Sequence, residues 1–172
     1  MEHFFYYFCK KSRNIMQEKT ITSTIHTCQT EELDEVERRL IQEAISATER
    51  SYAPYSHFHV GAALLLANGE MVTGCNQENA AFPVTLCAER TALFAAANQY
   101  PDQAVVALAI AARNEQGLLA HPISPCGSCR QAMVETELRF RHPIRLLLYG
   151  TDAIYIVEGI RQLLPLTFDN LE

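Results

Sequence analysis

The sequence lacks any apolar run that approaches the roughly 20 residues needed to cross a bilayer, so it does not predict a transmembrane segment. It also lacks a basic excess, because 14 Lys and Arg stand against 20 Asp and Glu, giving a net charge of −6. Nucleic acids and anionic membrane surfaces both attract basic faces. The composition therefore predicts no nucleic acid and no membrane as partner.

The N-terminus lacks the order of a signal peptide. Its basic residues Lys10, Lys11 and Arg13 follow an aromatic patch, whereas a signal peptide places them first. Six cysteines could form three disulfides in a secreted protein, but 172 residues with 48% hydrophobic content can bury a core without them. We therefore expect a reducing, cytoplasmic setting, where clustered cysteines more often bind metal or take part in catalysis.

Residues 1–28 show no hydrophobic period, and 20–27 is rich in Thr and Ser. We expect a flexible N-terminal extension there, with Met16 as an alternative start and a docking or targeting role as the rival interpretation. Residues 29–172 are predicted to form one domain of the α/β class, with helices that cover a mostly buried sheet.

Periodicity and turn residues predict the elements of that domain. Asn68-Gly69 is typical of a hairpin between two of the strands. Helices are expected at 33–47, 88–98 and 126–139, with a last helical turn at 158–164. Strands are expected at 58–66, 70–75, 104–112, 144–149 and 154–157.

The motif Pro125-Cys126-Gly127-Ser128-Cys129 lies at the start of a predicted helix. A Cys-x-x-Cys pair indicates a redox dithiol, half of a zinc site or a chance spacing. Backbone N–H groups at a helix start favour thiolate over thiol, so both sulfurs are suited to bind a metal.

A second motif, Cys87-Ala88-Glu89, lies at the start of another predicted helix. Parallel strands joined by crossovers place helix starts at one edge of a sheet, so Cys87 is expected to meet Cys126 and Cys129 there. Three protein ligands with an open fourth position are typical of a catalytic zinc. Glu89 is then placed to move protons. The alternative is a non-catalytic glutamate that stabilises the helix start through its favourable interaction with the helix dipole.

Arg90 follows Glu89 directly and is expected to donate a hydrogen bond to a ligand sulfur. The alternative is an ordinary exposed helical arginine. Cys75, at the end of a strand, is expected to be a small buried hydrophobic residue, and His57 and His59 to face solvent or a loop.

Longer stretches resemble the cytidine deaminase family, in the order in which that family has them. They are Tyr52–Leu64, Gly74–Ala80, Cys87–Ala92, Pro125–Gln131 and Leu163–Phe168. The resemblance covers about residues 33–168. Within the family, the chain is similar to the small-subunit, homotetrameric type. It implies a three-layer α/β/α cytidine-deaminase-like fold with a mixed central sheet, and one Zn²⁺ per subunit.

The resemblance also implies roles for individual residues. Cys87, Cys126 and Cys129 would bind zinc and Glu89 would shuttle protons, as in zinc deaminases generally. Phe58 would pack on the pyrimidine ring, and the backbone of Ala88 would hold the edge of the base. Asn76 and Glu78 would bind the ribose hydroxyls; the alternative is a turn residue at Asn76 and a solvated charge at Glu78. Phe82 and Phe168 would reach a neighbouring subunit's site.

Three departures from the family pattern concern detail. Gln77 stands at a position that is usually apolar, Phe82 lacks the hydroxyl of the usual tyrosine, and residues 134–137 are more polar than expected.

The function that the sequence predicts is hydrolytic deamination of cytidine and 2′-deoxycytidine in pyrimidine salvage. The alternatives are a deaminase of a related nucleoside or nucleoside antibiotic, and a structural zinc module that binds a partner. The structural module would need a fourth ligand, for which Cys75 is the candidate.

Overall fold

A computed structural model of the chain describes residues 17–169. Cys9, Met16 and the aromatic patch of the predicted extension lie outside these residues. No helix in the described part of the chain is long and apolar enough to cross a membrane.

The predicted helices are confirmed to within two residues at each end. They are α1 (Glu35–Thr48), α2 (Ala88–Gln99) and α3 (Gly127–Phe140). Asp34 caps α1, since its side chain accepts a hydrogen bond from the Glu37 N–H, and the Glu37 carboxylate accepts one from the Asp34 N–H in return. This reciprocal capping explains why the helix begins at the acidic cluster.

Within residues 17–169, seven strands form one sheet. They are β1 (His26–Cys28), β2 (His59–Leu66), β3 (Met71–Cys75), β4 (Val105–Asn114), β5 (Gly117–Leu118), β6 (Arg145–Tyr149) and β7 (Ile154–Glu158). Single 3₁₀ turns lie at Thr30–Glu32, Phe82–Val84 and Ile160–Gln162. The hairpin predicted at Asn68-Gly69 joins β2 to β3, and Gly69 adopts φ +86°, a left-handed conformation that glycine tolerates.

The strand order is β1-β7-β6-β4-β2-β3, with β5 paired to β4. Only β4 and β6 pair in parallel among the described strands, so the sheet is mixed as predicted. Because β2 is antiparallel to both β3 and β4, the strands β3, β4 and β6 run in one direction. Helix α2 connects β3 to β4 and α3 connects β4 to β6, so both helices begin at the same edge of the sheet.

The two faces of the sheet carry separate cores. On one face α1 buries Leu40, Ile41 and Ala44 against Ala63, Ala109 and Leu147. On the other face α2 and α3 bury Ala92, Leu93 and Met133 against Leu64, Leu108 and Leu146. The predicted three-layer α/β/α arrangement is therefore confirmed. Successive side chains of a strand point to opposite faces of the sheet, so one strand contributes residues to both cores.

Strand β1 is an element that the sequence did not predict. His26–Cys28 pair antiparallel with Ile154–Ile156 of β7, and the Thr24 N–H donates to Oε1 of Gln162 at 2.8 Å. The last residues of the predicted extension thus form an edge strand. Placing the domain boundary at residue 28 stays a prediction.

Glu137 accounts for one polar departure in α3. Its Oε1 accepts hydrogen bonds from the backbone N–H groups of Ile144 and Ile160, both at 2.8 Å. One carboxylate thus fastens α3 to the residue before β6 and to the last 3₁₀ turn.

Candidate metal centre and active site

Three cysteine sulfurs meet at the sheet edge where α2 and α3 begin. Cys87 is the N-cap residue of α2 and Cys126 the N-cap residue of α3, both with extended backbone and no side-chain capping bond. Their sulfurs are therefore free to face each other across the gap between the helix starts. Cys129 lies one turn into α3 and is fully buried. The convergence predicted from the spacing is present.

The distances between the sulfurs suit a single small cation. Cys87 Sγ lies 3.7 Å from Cys126 Sγ, which lies 3.5 Å from Cys129 Sγ, and all three atoms are within 4.8 Å of one another. Tetrahedral zinc with Zn–S bonds of about 2.3 Å requires sulfur–sulfur separations of about 3.8 Å. The donor set and its spacing therefore fit zinc.

The charges of this cluster are strongly coupled. Hydrogen bonds from the Cys129 thiol and from Arg90 lower the pKa of the Cys87 thiol to about 5, although burial opposes the shift. The pKa of Cys129 is raised, first because its proton is engaged with Cys87 and second because it is buried. Three neighbouring thiolates repel one another, and a divalent cation is the partner that lets all three ionise.

Glu89 lies in the first turn of α2, two residues beyond Cys87, and only 4% of its surface is exposed. Burial raises the pKa of its carboxyl group, and the negative charge of Cys87 raises it further. A carboxyl group with a raised pKa beside three potential metal ligands is suited to act as a general acid and base. Its neighbour Ala88 is completely buried.

Arg90 points at the cluster, as the sequence predicts. Its Nη2 lies 3.9 Å from Cys87 Sγ. Its Nε is buried and has no hydrogen-bond partner among residues 17–169. A cationic side chain beside thiolates offsets part of their charge.

Asn76 and Glu78 follow β3, and both side chains bind the segment that leads into β2. Asn76 Oδ1 accepts from the Val60 N–H at 2.8 Å, and its Nδ2 donates to the Phe58 carbonyl at 2.9 Å. Glu78 Oε2 accepts from the Tyr55 N–H at 2.9 Å. The structure therefore brings the two predicted sugar ligands together with the half-buried Phe58.

The two aromatic residues predicted to reach a neighbouring subunit are exposed. Phe82 is 74% exposed and makes an edge-to-face contact with Tyr55 at a centroid distance of 6.3 Å. Phe168 is 69% exposed, and its carbonyl accepts a hydrogen bond from Gln131.

The polar contacts of Arg130 and Ser56 were not predicted from the sequence. Arg130, next to Cys129, donates from Nε to the Pro125 carbonyl and from Nη1 to the Leu163 carbonyl. The Ser56 hydroxyl donates to Glu78 at 2.5 Å. The contacts with Leu163 and Glu78 have no sequence signal, because each joins segments far apart in the chain.

His59 differs from its prediction. It is half-buried, and its Nδ1 lies 2.5 Å from the Ser51 hydroxyl, whereas His57 is exposed as expected. Cys75 is only partly buried, and its sulfur accepts a hydrogen bond from the Gln77 amide at 3.2 Å.

The chain matches a family profile described as the cytidine and deoxycytidylate deaminase zinc-binding region over residues 34–141, more than half of its length. All three cysteines lie within the matched region, so the predicted zinc cofactor is confirmed. A cytidine deaminase of Halalkalibacterium halodurans is 50% identical over 96 residues, covering 56% of this chain and 68% of that protein. A cytidine deaminase of Mycobacterium tuberculosis is 41% identical over 105 residues, covering 59% of this chain and 74% of that protein.

Solved structures agree with the sequence comparison. The crystal structure of a cytidine deaminase from Burkholderia pseudomallei matches with a TM-score of 0.64 and 38% identity, covering 76% of this chain and 97% of the other. That of the Mycobacterium tuberculosis enzyme matches with a TM-score of 0.63 and 31% identity, covering 80% and 100%.

Proposed function

The chain belongs to the cytidine and deoxycytidylate deaminase family, and from this premise we propose that it deaminates cytidine and 2′-deoxycytidine by hydrolysis. Water adds at C4 of the pyrimidine ring, and the products are uridine or 2′-deoxyuridine and ammonia. The observation that carries the proposal is a set of three cysteine sulfurs fit for zinc, with the buried Glu89 two residues from one of them.

Glu89 moves the protons of this reaction. Cys87, Cys126 and Cys129 would hold the zinc, which when bound lowers the pKa of water and so supplies a nucleophile at neutral pH. The raised pKa of Glu89 suits a carboxyl group that takes a proton from the attacking water and delivers it to N3 of the ring. The same carboxyl group then protonates the departing amine.

Four residues are proposed to hold the substrate. Phe58 packs on the pyrimidine ring, and the backbone of Ala88 binds the edge of the base. Asn76 and Glu78 bind the ribose hydroxyls. Support comes from the hydrogen bonds that join both polar side chains to the segment carrying Phe58.

Arg90 acts on the reaction through the metal ligands. Donation to the Cys87 sulfur withdraws charge from it, and this counteracts the excess negative charge of three thiolates around one divalent ion. The Nε atom of the same side chain is buried and makes no hydrogen bond within residues 17–169, so attraction to the nearby thiolates is what offsets its desolvation.

The direct test is an ultraviolet assay of the purified, zinc-loaded protein with cytidine, 2′-deoxycytidine, cytosine and cytidine monophosphate side by side. We expect turnover of the two nucleosides and little of the others. Turnover of none of the four, with zinc bound, would contradict the proposal, and activity confined to a modified nucleoside would favour the alternative of an antibiotic deaminase.

Replacing Glu89 by Gln separates proton transfer from metal binding. Gln keeps the shape of the side chain but cannot exchange a proton, so we expect zinc content to persist while kcat falls by about 10²–10⁴. Near-normal turnover in zinc-loaded Glu89→Gln protein would remove Glu89 from the mechanism.

The alternative of a structural zinc module requires a fourth protein ligand. Within residues 17–169 the only cluster of potential ligands consists of the three cysteines, and Cys75 is engaged with Gln77 instead. Zinc content and turnover of Cys75→Ser decide the matter. Retention of both supports the enzyme, whereas loss of zinc would identify Cys75 as a ligand.

We propose a homotetramer as the assembly. The exposed apolar side chains in the two segments that carry Phe82 and Phe168 support it, because Val84 is 66% and Leu166 75% exposed as well. Sedimentation equilibrium tests it, and Phe82→Ser is expected to shift the protein towards smaller species.

Pyrimidine salvage in the cytoplasm is the proposed setting. All five cysteines in the described part of the chain are free thiols, which suits a reducing compartment. Cell fractionation with an antibody to the untagged protein tests the location.

A further inference from the structure

Ser56 joins the two parts of the proposed nucleoside site. Its hydroxyl donates to Glu78 Oε1 at 2.5 Å and accepts from the Phe58 N–H at 3.1 Å. The first partner is the proposed sugar ligand and the second belongs to the proposed ring-stacking residue. No other side chain among residues 17–169 hydrogen-bonds to both of these residues by the contacts that the structure shows.

The backbone next to Ser56 adopts an unfavourable conformation. The His57 N–H bonds back to the Ala53 carbonyl at 3.1 Å, and His57 takes φ +55°, in the left-handed region. Such a conformation costs of order 1 kcal/mol for a residue other than glycine, so neighbouring contacts must hold it. The Ser56 hydroxyl spans this residue, because it lies just before His57 and binds the N–H just after it.

The Glu78 carboxylate keeps one hydrogen-bond acceptor position that no described residue uses. A carboxylate has about four acceptor positions, two on each oxygen. Oε2 accepts from the Tyr55 and Ser56 N–H groups, and Oε1 accepts from the Ser56 hydroxyl. One position on Oε1 therefore remains among the contacts of the described chain. The pKa of Glu78 lies below its ordinary value chiefly because of the Ser56 hydroxyl, so the group is an ionised acceptor at neutral pH.

We propose that Ser56 is a positioning residue that aims Glu78 Oε1 at a sugar hydroxyl and fixes Phe58 at the ring. This inference rests on the proposed function. It predicts that Ser56 governs how tightly the nucleoside binds and leaves the chemistry at C4 untouched.

The test is steady-state kinetics of Ser56→Ala and Ser56→Thr with cytidine. We expect Ser56→Ala to raise KM about tenfold while kcat stays within twofold, and Ser56→Thr, which keeps the hydroxyl, to restore most of the loss. Tenfold is the size expected for one hydrogen bond to a charged acceptor. Ser46→Ala, at an exposed position of α1, is the matched control and should leave both constants unchanged.

A double-mutant cycle with Glu78→Gln separates positioning from a general loss of structure. If Ser56 acts chiefly through Glu78, removing its hydroxyl should raise KM by clearly less than tenfold in the Glu78→Gln background, the remainder being the part that Phe58 contributes. With a nucleoside that lacks the 2′- and 3′-hydroxyls, Ser56→Ala should likewise raise KM by less than it does with cytidine.

Three results would overturn the inference: unchanged kinetics of Ser56→Ala, a fall in kcat alone, or the same tenfold effect in the Glu78→Gln background. Each of these leaves wild-type turnover of cytidine, and with it the proposed function, intact. A zinc-loaded wild-type protein that does not deaminate cytidine would instead overturn both.

Discussion

Gly74 of β3 sets how closely α2 approaches the sheet, and replacing it by alanine tests whether that approach positions the metal ligand. A Cβ atom at this residue would lie 2.4 Å from the Ala92 backbone nitrogen and 2.6 Å from the Ala88 carbonyl oxygen. Both atoms belong to the backbone of α2, so no side chain can turn aside to make room.

The size of the effect follows from the distances. Ordinary contact for a Cβ atom begins at 3.4 Å, so the 2.4 Å approach must open by about 1 Å. Overpacking of this kind costs about 1–3 kcal/mol of unfolding free energy. A shift of α2 by a fraction of this opening carries Cys87 away from Cys126, whose sulfurs are 3.7 Å apart. We therefore expect Gly74→Ala to weaken zinc binding as well as folding.

Urea unfolding and a chelator competition for zinc measure the two effects on the same preparation. Gly127→Ala is the matched control, because Gly127 lies between two of the ligands yet a Cβ there meets nothing within 4 Å. We expect the control to change stability by no more than about 1 kcal/mol. Gly74→Ala protein with wild-type stability and zinc affinity would refute the idea that this contact positions Cys87.

Two further predictions concern other parts of the molecule. Glu137→Met should lower the unfolding free energy by about 1–3 kcal/mol in urea titration because the N–H groups of Ile144 and Ile160 lose their acceptor, and Glu137→Gln should recover most of it; equal losses in both variants would contradict this. Burial, and next the charge of Glu32, raise the pKa of the Cys28 thiol, so its thiolate fraction at pH 8 is below that of free cysteine. Iodoacetamide should alkylate Cys28 more slowly than free cysteine when followed by mass spectrometry, and an equal rate would be evidence against it.

Much of the fold was predictable because its elements carry local signals. Helix α1 shows a 3.6-residue period and an N-cap at Asp34, and Asn68-Gly69 predicts the hairpin between β2 and β3. Strand β1 escaped prediction because its three residues have no period long enough to detect, and only pairing with β7 makes them a strand. Local propensity does not encode such tertiary pairing.

The candidate site was likewise predictable only in part. The convergence of Cys87 with Cys126 and Cys129 followed from the rule that helices between strands of one direction start at one edge. The contact of Ser56 with Glu78 and that of Arg130 with Leu163 could not be predicted in this way. Each joins segments more than 20 residues apart, and the spacing of residues within a motif carries no information about such pairs. The half-buried state of His59 was missed because Ser51, eight residues earlier, reaches it across a turn.

The most direct test of the account is X-ray absorption at the zinc edge of the purified protein. We predict three sulfur neighbours at about 2.3 Å and one nitrogen or oxygen neighbour for each zinc ion. Loss of one sulfur neighbour in Cys87→Ala protein should follow. Four sulfur neighbours in the wild-type protein would contradict the account, because a zinc ion closed by four thiolates leaves no place for water to be activated.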